Sequence, residues 1–151
     1  MTDEQFATYE AKAALAAQRE AEILPHNKQI LFNTLAEMGI AIVTVDFDGY
    51  GDSGTFQEPA AFDSQNTMIA FPTVTITIKT LVFDTGAIEE KAVGLRDFID
   101  TLASGLLDEK HSGWEDGEGA YGQFQFSLAD RTIKLEYSER YVDTHYHEYE
   151  L

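Results

Sequence analysis

"QFQFSL" (residues 123–128) and "TIKLEYS" (132–138) alternate apolar and polar residues on either side of a short Ala129–Asp130–Arg131 turn. A period of two puts Phe124, Phe126, Leu128, Ile133, Leu135 and Tyr137 on one face, the signature of a hairpin with one side on a core. Further upstream, "AIVTVDF" (41–47) alternates in the same way, with Ala41, Val43, Val45 and Phe47 inward and Ile42, Thr44 and Asp46 outward. "TVTITIK" (73–79) is the clearest single strand, with Val74, Ile76 and Ile78 on its apolar side. The tail "ERYVDTHYHEYEL" (139–151) still alternates and is expected to extend the sheet or form an edge strand. Residues 48–72, rich in Gly, Ser, Asn, Gln and Pro, read as a long excursion.

Helical periodicity fills the rest. Thr2 and Gln5 have capping-box spacing ahead of an Ala/Glu-rich run to Leu24. Pro25 removes a backbone donor and is expected to kink or end that helix. Ile30, Leu31, Leu35 and Met38 then share a face, and Gly39 is a natural stop. Residues 87–110 read as the best helix, with Ile88, Ala92, Leu95, Ile99, Leu102 and Leu106 at helical spacing. On that helix Glu89, Glu90, Asp97, Asp100 and Asp108 fall together on the opposite face. The expected fold is therefore α+β: a four-stranded, mainly antiparallel sheet with helices on one face. One domain is expected, with a helical segment at 1–38 kinked near Pro25 and an α+β core at 39–151.

The charge balance narrows the function classes. The chain has 27 acidic and 10 basic residues, a formal net charge of −17, and no cysteine. Nucleic-acid affinity rests on Lys and Arg neutralising phosphates, so direct nucleic-acid binding is disfavoured, as is an anionic membrane surface. Thiolate catalysis and thiolate metal sites are excluded. With no basic-then-apolar leader and no membrane-length apolar run, the expected location is cytoplasmic.

Three stretches could carry chemistry. "DFDGYGDSG" (46–54) sets Asp46, Asp48 and Asp52 among glycines, but neither calcium-loop register works: starting at Asp46 the twelfth position is Gln57, and starting at Asp48 it is Pro59. A structured corner made by glycines and by Asp and Ser side chains is the better reading. "HSGWEDGEGAYGQF" (111–124) joins His111, the sole Trp114, Glu115, Asp116 and Glu118. A His beside carboxylates could move protons, yet no nucleophile with a fixed partner accompanies it. His145 and His147, two apart, would share a strand face as some metal ligands do. No metal, cofactor or catalytic residue is assigned.

"FDGYGDSG" (47–54), "HSGWEDGEGAYGQFQF" (111–126) and "RTIKLEYSERYVDT" (131–144) together resemble a small bacterial family of unknown function, associated with plasmids and other mobile elements. The resemblance covers roughly residues 28–150 and is sharpest in the Phe-Asp-Gly-x-Gly-Asp-Ser-Gly and Gly-Trp-Glu elements. It implies that Asp48, Asp52, Trp114 and Glu115 belong to one structural feature, with the two glycine-rich loops meeting at one end of the sheet. It implies no reaction. The favoured expectation is a non-enzymatic protein-interaction protein that presents Glu89, Glu90, Asp97, Asp100 and Asp108 to a basic protein surface. The alternative is a metal-dependent or acid/base enzyme with Asp48, Asp52, His111 and Glu115 convergent. A homodimer through the N-terminal helix is compatible with either.

Overall fold

The capping box closes as its spacing suggests: the Gln5 N–H donates to the Thr2 hydroxyl at 3.2 Å, and the Gln5 side-chain oxygen accepts from the Thr2 N–H at 2.9 Å. From that cap a single helix, α1, runs Asp3–Glu37 in a computed structural model that describes residues 2–51, 53–82 and 84–151. Pro25 lies inside α1 and does not end it. A proline in a helix interior costs about 3 kcal/mol. Burial of Ile23, Leu31, Phe32 and Leu35 around it offsets that, at about 1.5–3 kcal/mol for each large side chain. The N-terminal turns of α1 are exposed, with Phe6 and Leu15 among the uncovered apolar residues.

The strands are β1 (Ile42–Tyr50), β2 (Ser53–Phe56), β3 (Ala60–Phe62), β4 (Met68–Ile69), β5 (Thr75–Val82), β6 (Ala87–Gly94), β7 (Ala120–Ser127) and β8 (Thr132–Glu139), with α2 at Leu95–Lys110. The expected four-stranded sheet is in fact a six-stranded one, ordered β4-β3-β1-β7-β8 with β2 also on β1, beside a separate β5–β6 pair. All these pairings are antiparallel. Two departures separate this arrangement from the expected one. The excursion at 48–72 contains β2, β3 and β4, each too short to show alternation. The other departure is at 87–94, where a ladder from Thr75↔Gly94 to Val82↔Ala87 holds the chain as β6 rather than as the start of a helix. Ala, Glu and Lys at 87–92 favour a helix locally, but Gly86, at φ +69°, reverses the chain and brings them against β5. The acidic set is split accordingly. Glu89 and Glu90 lie on β6, and Asp97, Asp100 and Asp108 on α2, so no single helical stripe exists.

Cross-strand rows carry the core through the sheet. Val45, Phe124 and Leu135 form one row and Val43, Phe126 and Ile133 the next. Their inward side chains join Leu31, Phe32 and Leu35 of α1, Leu95, Phe98, Ile99, Ala103 and Leu107 of α2, and Ile76 and Ile78 of β5 in one buried cluster. Asn27, the buried polar residue of α1, fastens the smaller pair. Its amide donates to the Lys79 carbonyl at 2.9 Å and accepts the Lys79 N–H at 2.8 Å. Beyond β8 the tail is exposed and belongs to no strand, unlike the edge strand its alternation suggested. No helix among the described residues is long and apolar enough to cross a membrane.

Candidate functional site

The corner at 47–54 is the tip of the β1–β2 hairpin. Phe47 pairs with Phe56, Asp48 with Thr55, Gly49 with Gly54 and Tyr50 with Ser53, and Gly51 takes φ +70° at the turn. Alternation along β1 puts Phe47 and Gly49 on the buried side and Asp46, Asp48 and Tyr50 on the outer side. The facing glycines leave a shallow bed without side chains, and the Trp114 ring fills it. A Cβ at Gly49 would stand 2.7 Å from Trp114 Cζ3, and one at Gly54 would collide with the same ring. Trp114 is 8 % exposed and meets Phe47 and Phe56 edge-on, with centroids 5.3 and 5.8 Å away. The two motifs are thus one unit: the glycines of the first admit the tryptophan of the second. The Gly51 N–H also donates to the Gly117 carbonyl at 3.1 Å, tying the hairpin tip to the 111–119 loop.

Arg140, immediately after β8, clamps this unit from the side. Its guanidinium donates to the Asp48 carboxylate and to the Gly49 carbonyl, both at 2.9 Å, and lies 4.7 Å from the Tyr121 ring centroid. Its own N–H donates to the Gly119 carbonyl at 3.0 Å. Asp48 therefore turns outward into an ion pair, and its neighbour Asp46 accepts from the Gln123 amide at 2.8 Å. Sequence reasoning did not single out Arg140, because its partners are 91 and 92 residues away. The available signal was that Arg140 lies inside the third motif stretch.

The expected set comes together only in part. Trp114 sits on the glycine bed, Asp48 on the other face of the same strand. Glu115 follows Trp114, with its Cα against Gly49. His111 caps α2 and stacks on Tyr137, rings 3.6 Å apart and 3° from parallel, rather than turning toward Asp48. Burial, reinforced by Glu139 and Glu115, holds the Tyr137 phenol above its usual pKa. Asp52 lies outside the described residues. His145 and His147 are in the exposed tail, where His147 faces Tyr149. Among the described residues no group of three or more His, Asp or Glu side chains is placed to hold a metal ion.

Between the 111–119 loop and the end of β8 lies an open hollow of about 520 Å³, with Trp114, Tyr137 and Arg140 in its lining and Asp116, Glu118 and Glu139 around it. The described ion pairs are Arg96–Glu58, Lys134–Glu136 and Arg140–Asp48. Among the described residues Asp116, Glu118 and Glu139 form no ion pair, and Arg140, which also lines the hollow, is paired with Asp48. Aromatic surface beside these carboxylates suits an organic cation.

A model of a family of unknown function, DUF6878, matches residues 23–151. No curated protein and no solved structure matches the chain. The matched segment begins within α1 and takes in both glycine-rich motifs, Arg140 and the tail.

Proposed function

The chain belongs to that family, whose function is unknown, and we propose that it is an acidic, non-enzymatic protein-interaction protein whose partner presents a basic surface. The hollow rimmed by Asp116, Glu118 and Glu139 carries this reading. A lysine or arginine entering it meets aromatic surface, a contact worth about 0.5–1 kcal/mol at an exposed site, together with charge-assisted hydrogen bonds to the carboxylates. The net charge of −17 adds steering of the same sign over a longer range. Glu89, Glu90, Asp97, Asp100 and Asp108, divided between β6 and α2, contribute to that field rather than forming the contact face. The setting we infer is the bacterial cytoplasm, with the gene on a mobile element, as the motif resemblance implies.

Among the described residues of the enzyme reading, Asp48 is held by Arg140 and His111 lies flat on Tyr137. Trp114 is the sole tryptophan and lines the hollow, so its fluorescence reports occupancy directly. Titration with an arginine-rich peptide is expected to give a saturable change that weakens between about 50 and about 500 mM NaCl. The Asp116→Asn/Glu118→Gln/Glu139→Gln variant is expected to lose it. Equal affinity for that variant and the wild type overturns the reading.

A further inference from the structure

The two edges of the six-stranded sheet are finished differently. One is β4, two residues long, and a short edge discourages further pairing. The other is β8, eight residues long without Pro or Gly and, among the described residues, with no strand beyond it. Coverage fails along that edge. In one cross-strand row Val45 and Phe124 are buried while Leu135 is only half-buried, and in the next Val43 and Phe126 are buried while Ile133 is half-buried.

The chain itself carries a segment suited to that edge. Residues 141–151 are all exposed, yet they include Tyr141, Val142, Tyr146, Tyr149 and Leu151, of which the least exposed, Val142, is 69 % open. Between Glu139 and Thr144 the one turn-favouring residue is Asp143, with no Gly, Pro or Asn beside it to turn the segment back onto its own β8. The Arg140 N–H, bonded to the Gly119 carbonyl, instead continues the line of the strand.

We propose that residues 144–151 of one chain pair antiparallel with β8 of a second copy, reciprocally, and that the acidic, aromatic end of each tail enters a basic hollow on the other chain. Eight tail residues match the eight of β8, about 26 Å at ~3.3 Å per residue. The antiparallel direction brings Glu148–Leu151 to the start of β8, beside Arg131. There Leu24, Pro25 and Phe32 floor a hollow of about 460 Å³ that Lys28 and Arg131 also line. That register sets Glu148 and Glu150 opposite Leu135 and Ile133 on the side where two of the chain's 10 basic residues, Lys28 and Arg131, line the hollow, with Tyr146 opposite Tyr137. Glu139 ends β8, and Tyr141 and Val142 of the tail also line the hollow of the basic-partner reading. Lys28 and Arg131 lie outside that hollow, so their substitution tells the two readings apart.

Light scattering across a concentration series tests it. The full chain is expected at twice its 16.9 kDa mass, and a chain lacking 141–151 at the mass of one copy. Lys28→Glu/Arg131→Glu is expected to give single copies, and adding Glu148→Lys/Glu150→Lys to restore the pair. Full-length protein that stays single at every concentration overturns the proposal. So does a dimer that survives removal of 141–151, which would place the contact on α1 with its exposed Phe6 and Leu15. If the Lys28/Arg131 variant fails to fold by circular dichroism, the truncation decides alone, since it removes only exposed residues.

Discussion

In the β1–β2 hairpin the surface that receives its neighbour is a gap, Gly49 opposite Gly54, filled by an aromatic ring from a distant loop. In the β5–β6 hairpin it is the backbone of Lys79, captured at both its N–H and its carbonyl by one side chain of α1. The first attachment depends on shape and tolerates no added atom. The second depends on polar satisfaction and fails when a partner is removed. Each should therefore respond to a different kind of substitution.

The largest effect is expected at the ring. Trp114→Ala removes the contacts with Phe47, Phe56 and the glycine bed, and should cost about 3–5 kcal/mol in denaturant unfolding. Gly54→Ala, whose Cβ has three Trp114 ring atoms as its nearest neighbours, should cost about 1–3 kcal/mol in the wild type and far less beside Trp114→Ala. Additive costs in that cycle would show that the ring does not rest on the hairpin.

Asn27→Ala comes next. It leaves the Lys79 N–H and carbonyl without their partner and should cost about 2 kcal/mol, with amide exchange accelerating along β5 and β6 but not β1. Equal acceleration in both hairpins would contradict their separate attachment. Arg140→Gln should cost less, about 1 kcal/mol, because the Asp48 pair is partly exposed and exposed pairs contribute little. Its effect should be local, appearing as faster exchange at Gly49 and Gly119.

How far these attachments could be read in the sequence follows from the range of the forces that make them. Strands β1, β5, β7 and β8 showed through because alternation is a local consequence of one-sided burial, and the Thr2–Gln5 cap because its partners are three residues apart. The β6–α2 boundary did not show, since residues 87–94 carry helix-forming side chains at helical spacing and only pairing with Thr75–Val82 overrides them. Pro25 does not end α1 for a related reason: its cost is local, whereas the burial that offsets it is tertiary. At the candidate site, Trp114 and the glycine turn were visible as unusual residues in unusual company. Arg140 was not, because nothing near it in the chain marks Asp48 or Gly49 as its partners. His111, beside carboxylates in the sequence, was drawn instead to a ring on β8.

The smallest expected effect has the opposite sign. Asp100 on α2 keeps one carboxylate oxygen buried without a hydrogen-bond partner, and burial raises its pKa, with Asp97 adding to the shift and Arg96 opposing it. A raised carboxylate pKa means that this group favours the folded state at acid pH, a contribution lost as pH rises through the folded-state pKa. Asp100→Asn should therefore raise the melting temperature at neutral pH, and the gain should vanish below the usual carboxylate range. A gain that persists there would assign the effect to something other than this charge.

The most direct test of the account is an amide and indole chemical-shift map with the arginine-rich peptide. If the two motifs build one junction that receives a cation, shifts gather at the Trp114 indole, Glu118, Glu139 and Arg140 and weaken with salt. Shifts gathered instead at Glu89, Glu90, Asp97 and Asp108, with the Trp114 indole unmoved, would contradict it.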